Sequence, residues 1–151
     1  MPHELRQGDY LISDDRARLD LSTIHALLRE TYWARHVPRE IVARSLENSL
    51  CFGAYSADGQ QVAVARVVTD YATFGWICDV IVHRANRGHG LGKALMRGVV
   101  THPRLQSLRR LLLATEDAHG LYTQFGFKPL TVPDAHLELR LISGYSNPES
   151  S

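Results

Sequence analysis

The chain has 151 residues, enough for one ordinary domain with a sizeable core. Hydrophobic residues make up 44% of it and charged residues 22%, which are globular values. The formal net charge of +1 gives no electrostatic argument for a nucleic-acid or membrane partner, no apolar run reaches 18 residues, and the opening M-P-H-E-L-R-Q-G-D-Y lacks an apolar signal core, so a cytoplasmic protein is expected.

In chain order, residues 10–13 can form a short first strand. Asp20 can N-cap a helix whose apolar face is Leu21, Ile24, Leu27 and Leu28. Pro38 suits the start of a second helix carrying Ile41, Val42 and Leu46. Residues 50–55 and 61–69 read as strands joined by the turn signal Ala57-Asp58-Gly59. Asp70-Tyr71 leads into a third strand, 73–82. A helix with Leu91, Leu95, Met96, Val99 and Val100 ends before Pro103. Residues 109–114 read as a strand and 118–125 as a short helix, with Gly126 as its left-handed cap. Residues 127–130 and 136–141 read as the last strands, and 144–151 as a frayed tail, which leaves a single domain at 1–143. The order β-α-α-β-β-β-α-β-α-β-β describes an α/β domain with a mixed sheet. Cys51 and Cys78 lie in apolar runs and look like buried thiols, and the eight His form no H-x-x-x-H pair or Cys/His cluster, so no metal is expected.

The segment V-H-R-A-N-R-G-H-G-L-G-K, residues 82–93, carries the first functional signal. Arg87, Gly88, Gly90 and Gly92 stand where a strand gives way to a helix. Glycines there let backbone N–H groups converge on a ligand, and the helix start adds a partial positive charge, so the junction suits an anion such as a pyrophosphate. A Walker loop is excluded because Arg87 replaces the first Gly and Ala94 the Ser/Thr. A Rossmann fingerprint is excluded because Lys93 stands where the third Gly belongs. The remaining pattern, R-G-x-G-x-G after a strand, resembles the acyl-CoA pyrophosphate loop of the GNAT superfamily of N-acetyltransferases. A second signature of that family, L-Y-x-x-x-G-F after the next strand, is matched by Leu121-Tyr122-Thr123-Gln124-Phe125-Gly126-Phe127. The two signatures span roughly residues 76–130, and the order of elements is that of the GNAT fold over nearly the whole chain.

The resemblance implies an acetyl-CoA-dependent N-acetyltransferase, with acetyl-CoA as co-substrate and a small-molecule primary amine as acceptor, attacking directly in a ternary complex. Acetylation of a protein N-terminus or lysine, or non-catalytic acyl-CoA binding, are the alternatives. It implies that backbone groups of Val80, Ile81 and Val82 run along the pantetheine arm, and that Arg87, Gly88, His89, Gly90, Leu91, Gly92 and Lys93 surround the pyrophosphate. Thr115 and Asp117 would also approach the donor. Tyr122 would act as general acid toward the thioester sulfur, or orient the donor.

An alkyl amine with pKa near 10.4 is neutral in only about 1 molecule in 2,500 at pH 7, roughly 4.6 kcal/mol against reaction, so a base or a desolvating pocket is needed. Asp79 is the one carboxylate in the strand leading to the loop. Relatives often carry the acid one position earlier, where this chain has Cys78, and strand alternation predicts that Cys78 and Asp79 cannot share a face. Glu116 and Asp117 are further candidates, Asp117 being equally suited to N-cap the Ala118 helix. Tyr32 and Trp33 at a helix end, with Asp70 and Tyr71, are candidates for the acceptor side. Members of the family are often dimers, so a homodimer is open to test.

Overall fold

The computed structural model describes residues 1–147. The strands β1 (Glu4–Gln7), β2 (Tyr10–Ser13), β3 (Leu50–Tyr55), β4 (Gln61–Thr69), β5 (Phe74–Val82) and β6 (Arg110–Leu112) form one sheet in sequential order. All neighbours are antiparallel except β5 and β6, which are parallel. The helices are α1 (Leu21–Arg29), α2 (Arg39–Glu47), α3 (Leu91–Val100) and α4 (His119–Thr123).

Local chemistry accounts for the helix starts. The Asp20 carboxylate accepts from the Thr23 N–H at 3.2 Å and so satisfies one of the four donors that a first helical turn leaves over. Pro38 precedes α2 in extended geometry and contributes no side-chain cap. Thr115 Oγ1 accepts from the Ala118 N–H at 3.0 Å, so Thr115 makes the turn into α4 and Asp117 is left free of capping.

Two apolar layers sandwich the sheet. On one face Leu95, Met96 and Val99 of α3 pack with Phe52, Ala54, Ala65, Val67 and Ile77. On the other, Ile24, Leu27 and Leu28 of α1 and Val42 and Leu46 of α2 pack with Cys51, Val64 and Ile81. Side chains alternate along β3 as period 2 demands, Leu50, Phe52 and Ala54 facing α3 and Cys51 facing α1 and α2. β5 breaks the rule. Ile77 and Ile81, four residues apart, face opposite layers. The register explains it: Val64 pairs with Ile81 but Arg66 pairs with Cys78, so β5 holds one extra residue. That β-bulge contains Asp79, in the left-handed region at φ 57°. The expectation that Cys78 and Asp79 must face apart fails here, because a bulge resets the alternation.

The structure departs from the sequence expectation at both ends. β1 was not anticipated, since Leu5 is its one strongly apolar residue; it pairs with β2 through a turn at Gly8. Residues 127–130 and 136–141 are not strands, and among the described residues the only element after α4 is a 3₁₀ turn at Pro133–Ala135. Apolar alternation marks a strand's face, but a strand also needs a ladder partner, and Pro129 and Pro133 interrupt the hairpin that would supply one. β6 is three residues long, not the six of 109–114. Tyr145, expected in a loose tail, packs against the α1–α2 layer; residues 148–151 of that tail lie outside the described residues.

Candidate active site

All of β6 pairs with the beginning of β5, Phe74 with Arg110, Gly75 with Leu111 and Trp76 with Leu112. Beyond Trp76 the strands part. A hollow of about 380 Å³ fills the gap, walled by Ile77, Cys78, Asp79 and Val80 on one side and residues 114–118 on the other, with Tyr122 beneath. Tyr32, Trp33 and Trp76 close it on the remaining side. The bulge at Asp79 is what bends β5 away from its neighbour and turns both Cys78 and Asp79 into the hollow.

Tyr122 is 8% exposed and stands edge-on to Phe127 with ring centroids 6.0 Å apart. Burial, with lesser contributions from Asp117 and Tyr32, raises its phenol pKa above the ordinary value. It also borders a second, apolar hollow beside β6 that Leu111, Leu113 and Phe127 line. It therefore stands between the two.

Asp79 is fully engaged. Its Oδ1 accepts from Trp33 Nε1 at 2.8 Å and its Oδ2 from Arg66 Nε at 2.7 Å. Arg66 in turn donates to Ser49 Oγ at 3.0 Å. Burial opposes the Arg66 charge, but Asp79 and then Cys78 together hold its pKa above the usual guanidinium value. Arg66 escaped the sequence reading, yet it left a signal: a lone charge inside the apolar strand 62–68 requires a buried partner. Burial pushes the Cys78 thiol up to about 11 despite Arg66, so it is a poor nucleophile at neutral pH.

The glycine loop lies at the start of α3. Gly88 (φ 86°) and Gly90 (φ 76°) are both left-handed, and a Cβ at Gly88 would meet nothing within 4 Å, so the requirement there is backbone conformation and open approach. Gly92 is helical. A Cβ on it would sit 3.5 Å from Leu121, which marks where α4 touches the first turn of α3 and brings Tyr122 to the loop's side of the fold. The β1–β2 hairpin braces the loop: Gln7 Nε2 donates to the His89 carbonyl at 3.1 Å, and Asn86 Nδ2 donates to the Tyr10 hydroxyl at 3.1 Å. His89 lies against the Tyr10 ring. Arg87 Nε reaches back to the Val82 carbonyl at 3.3 Å, and Lys93 is exposed on the first turn.

Of the residues expected around a donor, Val80, Thr115 and Asp117 line the main hollow, while the Ile81 side chain is buried against α1 and α2 and could offer only its backbone. Of those expected around an acceptor, Tyr32 and Trp33 line the hollow. Asp70 and Tyr71 are not. The Asp70 carboxylate is consumed by its own turn, accepting from the N–H groups of Ala72 and Thr73 and from the Thr73 hydroxyl, which together hold it well below the usual carboxylate range. The Tyr71 ring lies under the Arg104 guanidinium at 3.6 Å. Neither lines the hollow. Among the described residues no group of three or more His, Cys, Asp and Glu is placed to hold a metal, and no helix is long and apolar enough to cross a membrane.

The acetyltransferase (GNAT) family model matches residues 19–127, a span that includes the parted strands, the glycine loop and Tyr122. The chain belongs to the GNAT acetyltransferase family. A curated Gibberella zeae protein described as an acetyltransferase is 30% identical over 143 residues, covering 80% of each chain. A crystal structure of a GNAT-family protein from Xanthomonas campestris pv. campestris is 46% identical, with a TM-score of 0.86 over 90% of this chain and 96% of that one. A Mycobacterium tuberculosis protein crystallised in complex with CoA shares the fold at 22% identity, with a TM-score of 0.59 over 76% of this GNAT chain and 74% of its own.

Proposed function

We propose that this GNAT protein transfers the acetyl group of acetyl-CoA to the primary amine of a small molecule by direct attack in a ternary complex. The observation that carries the proposal is the parting of β5 and β6 above a buried Tyr122, on the side where α4 meets the glycine loop. Acetyl-CoA supplies an activated acyl carbon and a pyrophosphate by which it can be held.

The chain's residues suit both parts. The left-handed Gly88 and Gly90 and the free N–H groups of the first turn of α3 form a cradle for a pyrophosphate, with Arg87 and Lys93 adding charge at its rim. The unpaired edge of β5 at Val80 to Val82 and the Thr115 hydroxyl can hold an amide-bearing arm in the gap. Tyr32, Trp33 and Trp76 present ring faces suited to an alkylammonium, and Glu116 and Asp117 supply negative charge on the opposite wall.

In the reaction the amine nitrogen bonds to the thioester carbonyl carbon and the carbon–sulfur bond breaks. The ammonium proton must leave before attack, and the departing sulfur must gain one. Tyr122 provides the second proton, its raised pKa keeping the phenol protonated through the neutral range. Glu116 or Asp117, directly or through water, accepts the first. Asp79 is assigned to the wall: with both oxygens engaged it holds Trp33 over the hollow and neutralises Arg66.

Free thiol release from acetyl-CoA over a panel of small amines, with mass spectrometry of the products, tests the reading. N-acetylated small amines are the expected products. Faster turnover of peptides through an N-terminus or lysine would move the acceptor class, and a flat acetyl-CoA binding isotherm would overturn the proposal.

A further inference from the structure

The exposed apolar surface of this protein is concentrated. Apart from Met1 and the stretch 130–142, every large apolar side chain left exposed among the described residues belongs to one surface: Tyr32, Trp33, Val68, Phe74 and Trp76, at 38–53%. Val68 and Trp76 are register partners on β4 and β5, and Phe74 lies two residues before Trp76. Their neighbours Val67 and Ile77 pack toward α3. Strand alternation therefore turns Val68, Phe74 and Trp76 to the opposite face, which α1 and α2 cover further along, at Val64 and Ile81. Trp76 also lines the main hollow with Tyr32 and Trp33. The strip is a floor that runs out of the hollow. Tyr32 and Trp33, edge to face with ring centroids 5.0 Å apart, wall it, and Asp79 holds the Trp33 ring in place. A contiguous apolar surface that opens into a hollow with a few polar groups has the form of a ligand groove.

We infer that this strip holds the body of the acceptor, and that the acceptor is a primary amine carrying an aromatic ring and no carboxylate beside the amine. The inference rests on the proposed acetyl transfer. The polar groups along the strip are already committed. Arg66 donates to Asp79 and Ser49, and the Thr69 hydroxyl donates to the Phe74 carbonyl at 2.7 Å. The floor therefore recognises a body by apolar and ring contact, and it would leave the hydroxyls of a sugar or the oxygens of a phosphate without partners. At the inner end charge takes over. Glu116 and Asp117 line the hollow, and among the described residues neither has an ion-pair partner. Two carboxylates there favour an ammonium and oppose a carboxylate on the same carbon. An arylalkylamine carries a cation at one end and a flat apolar body at the other, which matches the acids and the strip in that order.

Initial rates of thiol release from acetyl-CoA with 2-phenylethylamine, propylamine, phenylalanine, glucosamine and a lysine-containing peptide test this. Complete burial of a phenyl ring is worth about 10–100-fold, so kcat/KM for 2-phenylethylamine should exceed that for propylamine at least about tenfold. Phenylalanine, glucosamine and the peptide should all fall below 2-phenylethylamine. Trp76→Ala and Phe74→Ser should each lower the phenylethylamine-to-propylamine ratio about threefold or more. A variant that merely folds poorly loses both rates together and leaves that ratio where it was. The chain's two tryptophans, Trp33 and Trp76, both stand at this surface, so a fluorescence titration with 2-phenylethylamine reads occupancy without turnover. Saturable binding of 2-phenylethylamine with no thiol release from any amine would keep the strip and overturn the acetyl-transfer reading. Neither binding nor release would overturn both. A wild-type ratio near one, a ratio that neither variant moves, or faster turnover of phenylalanine, glucosamine or the peptide would overturn the inference and leave acetyl transfer standing.

Discussion

Replacing Asp79 by Asn separates a wall-building role from a catalytic one. Asn keeps a carbonyl oxygen to accept from Trp33 Nε1 and tolerates the left-handed backbone at φ 57°, so neither that contact nor the bulge should be lost. What disappears is the charge 2.7 Å from Arg66 Nε, between side chains 17% and 10% exposed. Hydrogen bonds between charged groups contribute about 1.5–3 kcal/mol, and a mostly buried Arg66 left without its counter-charge should cost about 2 kcal/mol. For a chain of this size each kcal/mol lowers the melting temperature by about 2–4 °C, so Asp79→Asn should melt about 4–8 °C lower. Asp79→Ala also loses the Trp33 acceptor and adds roughly 1–2 kcal/mol of left-handed strain, for a total near 4 kcal/mol. Differential scanning calorimetry reads both, and initial rates of thiol release read the chemistry. The expected kcat for Asp79→Asn lies within about tenfold of wild type. A melting temperature within about 1 °C of wild type together with a kcat loss of about 10²-fold or more would refute the reasoning and return Asp79 to the role of general base.

Tyr122→Phe removes the proposed acid while keeping the ring against Phe127, and should lower kcat by about 10²-fold with little change in acetyl-CoA affinity; steady-state kinetics beside calorimetric titration check it. Cys78, its pKa pushed up to about 11, is roughly one part in a thousand thiolate at pH 8. Because only the thiolate alkylates, its modification rate should climb about tenfold per pH unit from 8 to 10 without a plateau, and Cys78→Ala should leave no acyl-enzyme to be lost. A plateau near pH 8 by mass spectrometry would contradict this. Gly88→Val forces a β-branched residue to φ 86° and should weaken acetyl-CoA binding at least about tenfold, read by titration, while the free space around that Cβ position spares the core.

The sequence alone carried the pieces whose chemistry is local. Strand-like runs on either side of the Ala57-Asp58-Gly59 turn signal marked β3 and β4 at their observed bounds, Asp20 capped α1, and the R-G-x-G-x-G and L-Y-x-x-x-G-F signatures pointed to the family and to Tyr122. These are signals written within a few residues of one another, where backbone preference and side-chain spacing leave few alternatives. Tertiary structure decided whatever depends on partners distant in the chain. The β5 bulge turned Cys78 and Asp79 into the same hollow against strand alternation, because pairing with β4 leaves one residue over. Arg66 and Trp33 then took both oxygens of the expected base. Asp70 and Tyr71 were withdrawn from the acceptor side by an Asx turn and by Arg104. The leucine alternation of 136–141 predicted a strand but could not provide its neighbour, since a ladder is made by two segments and only one of them is written there.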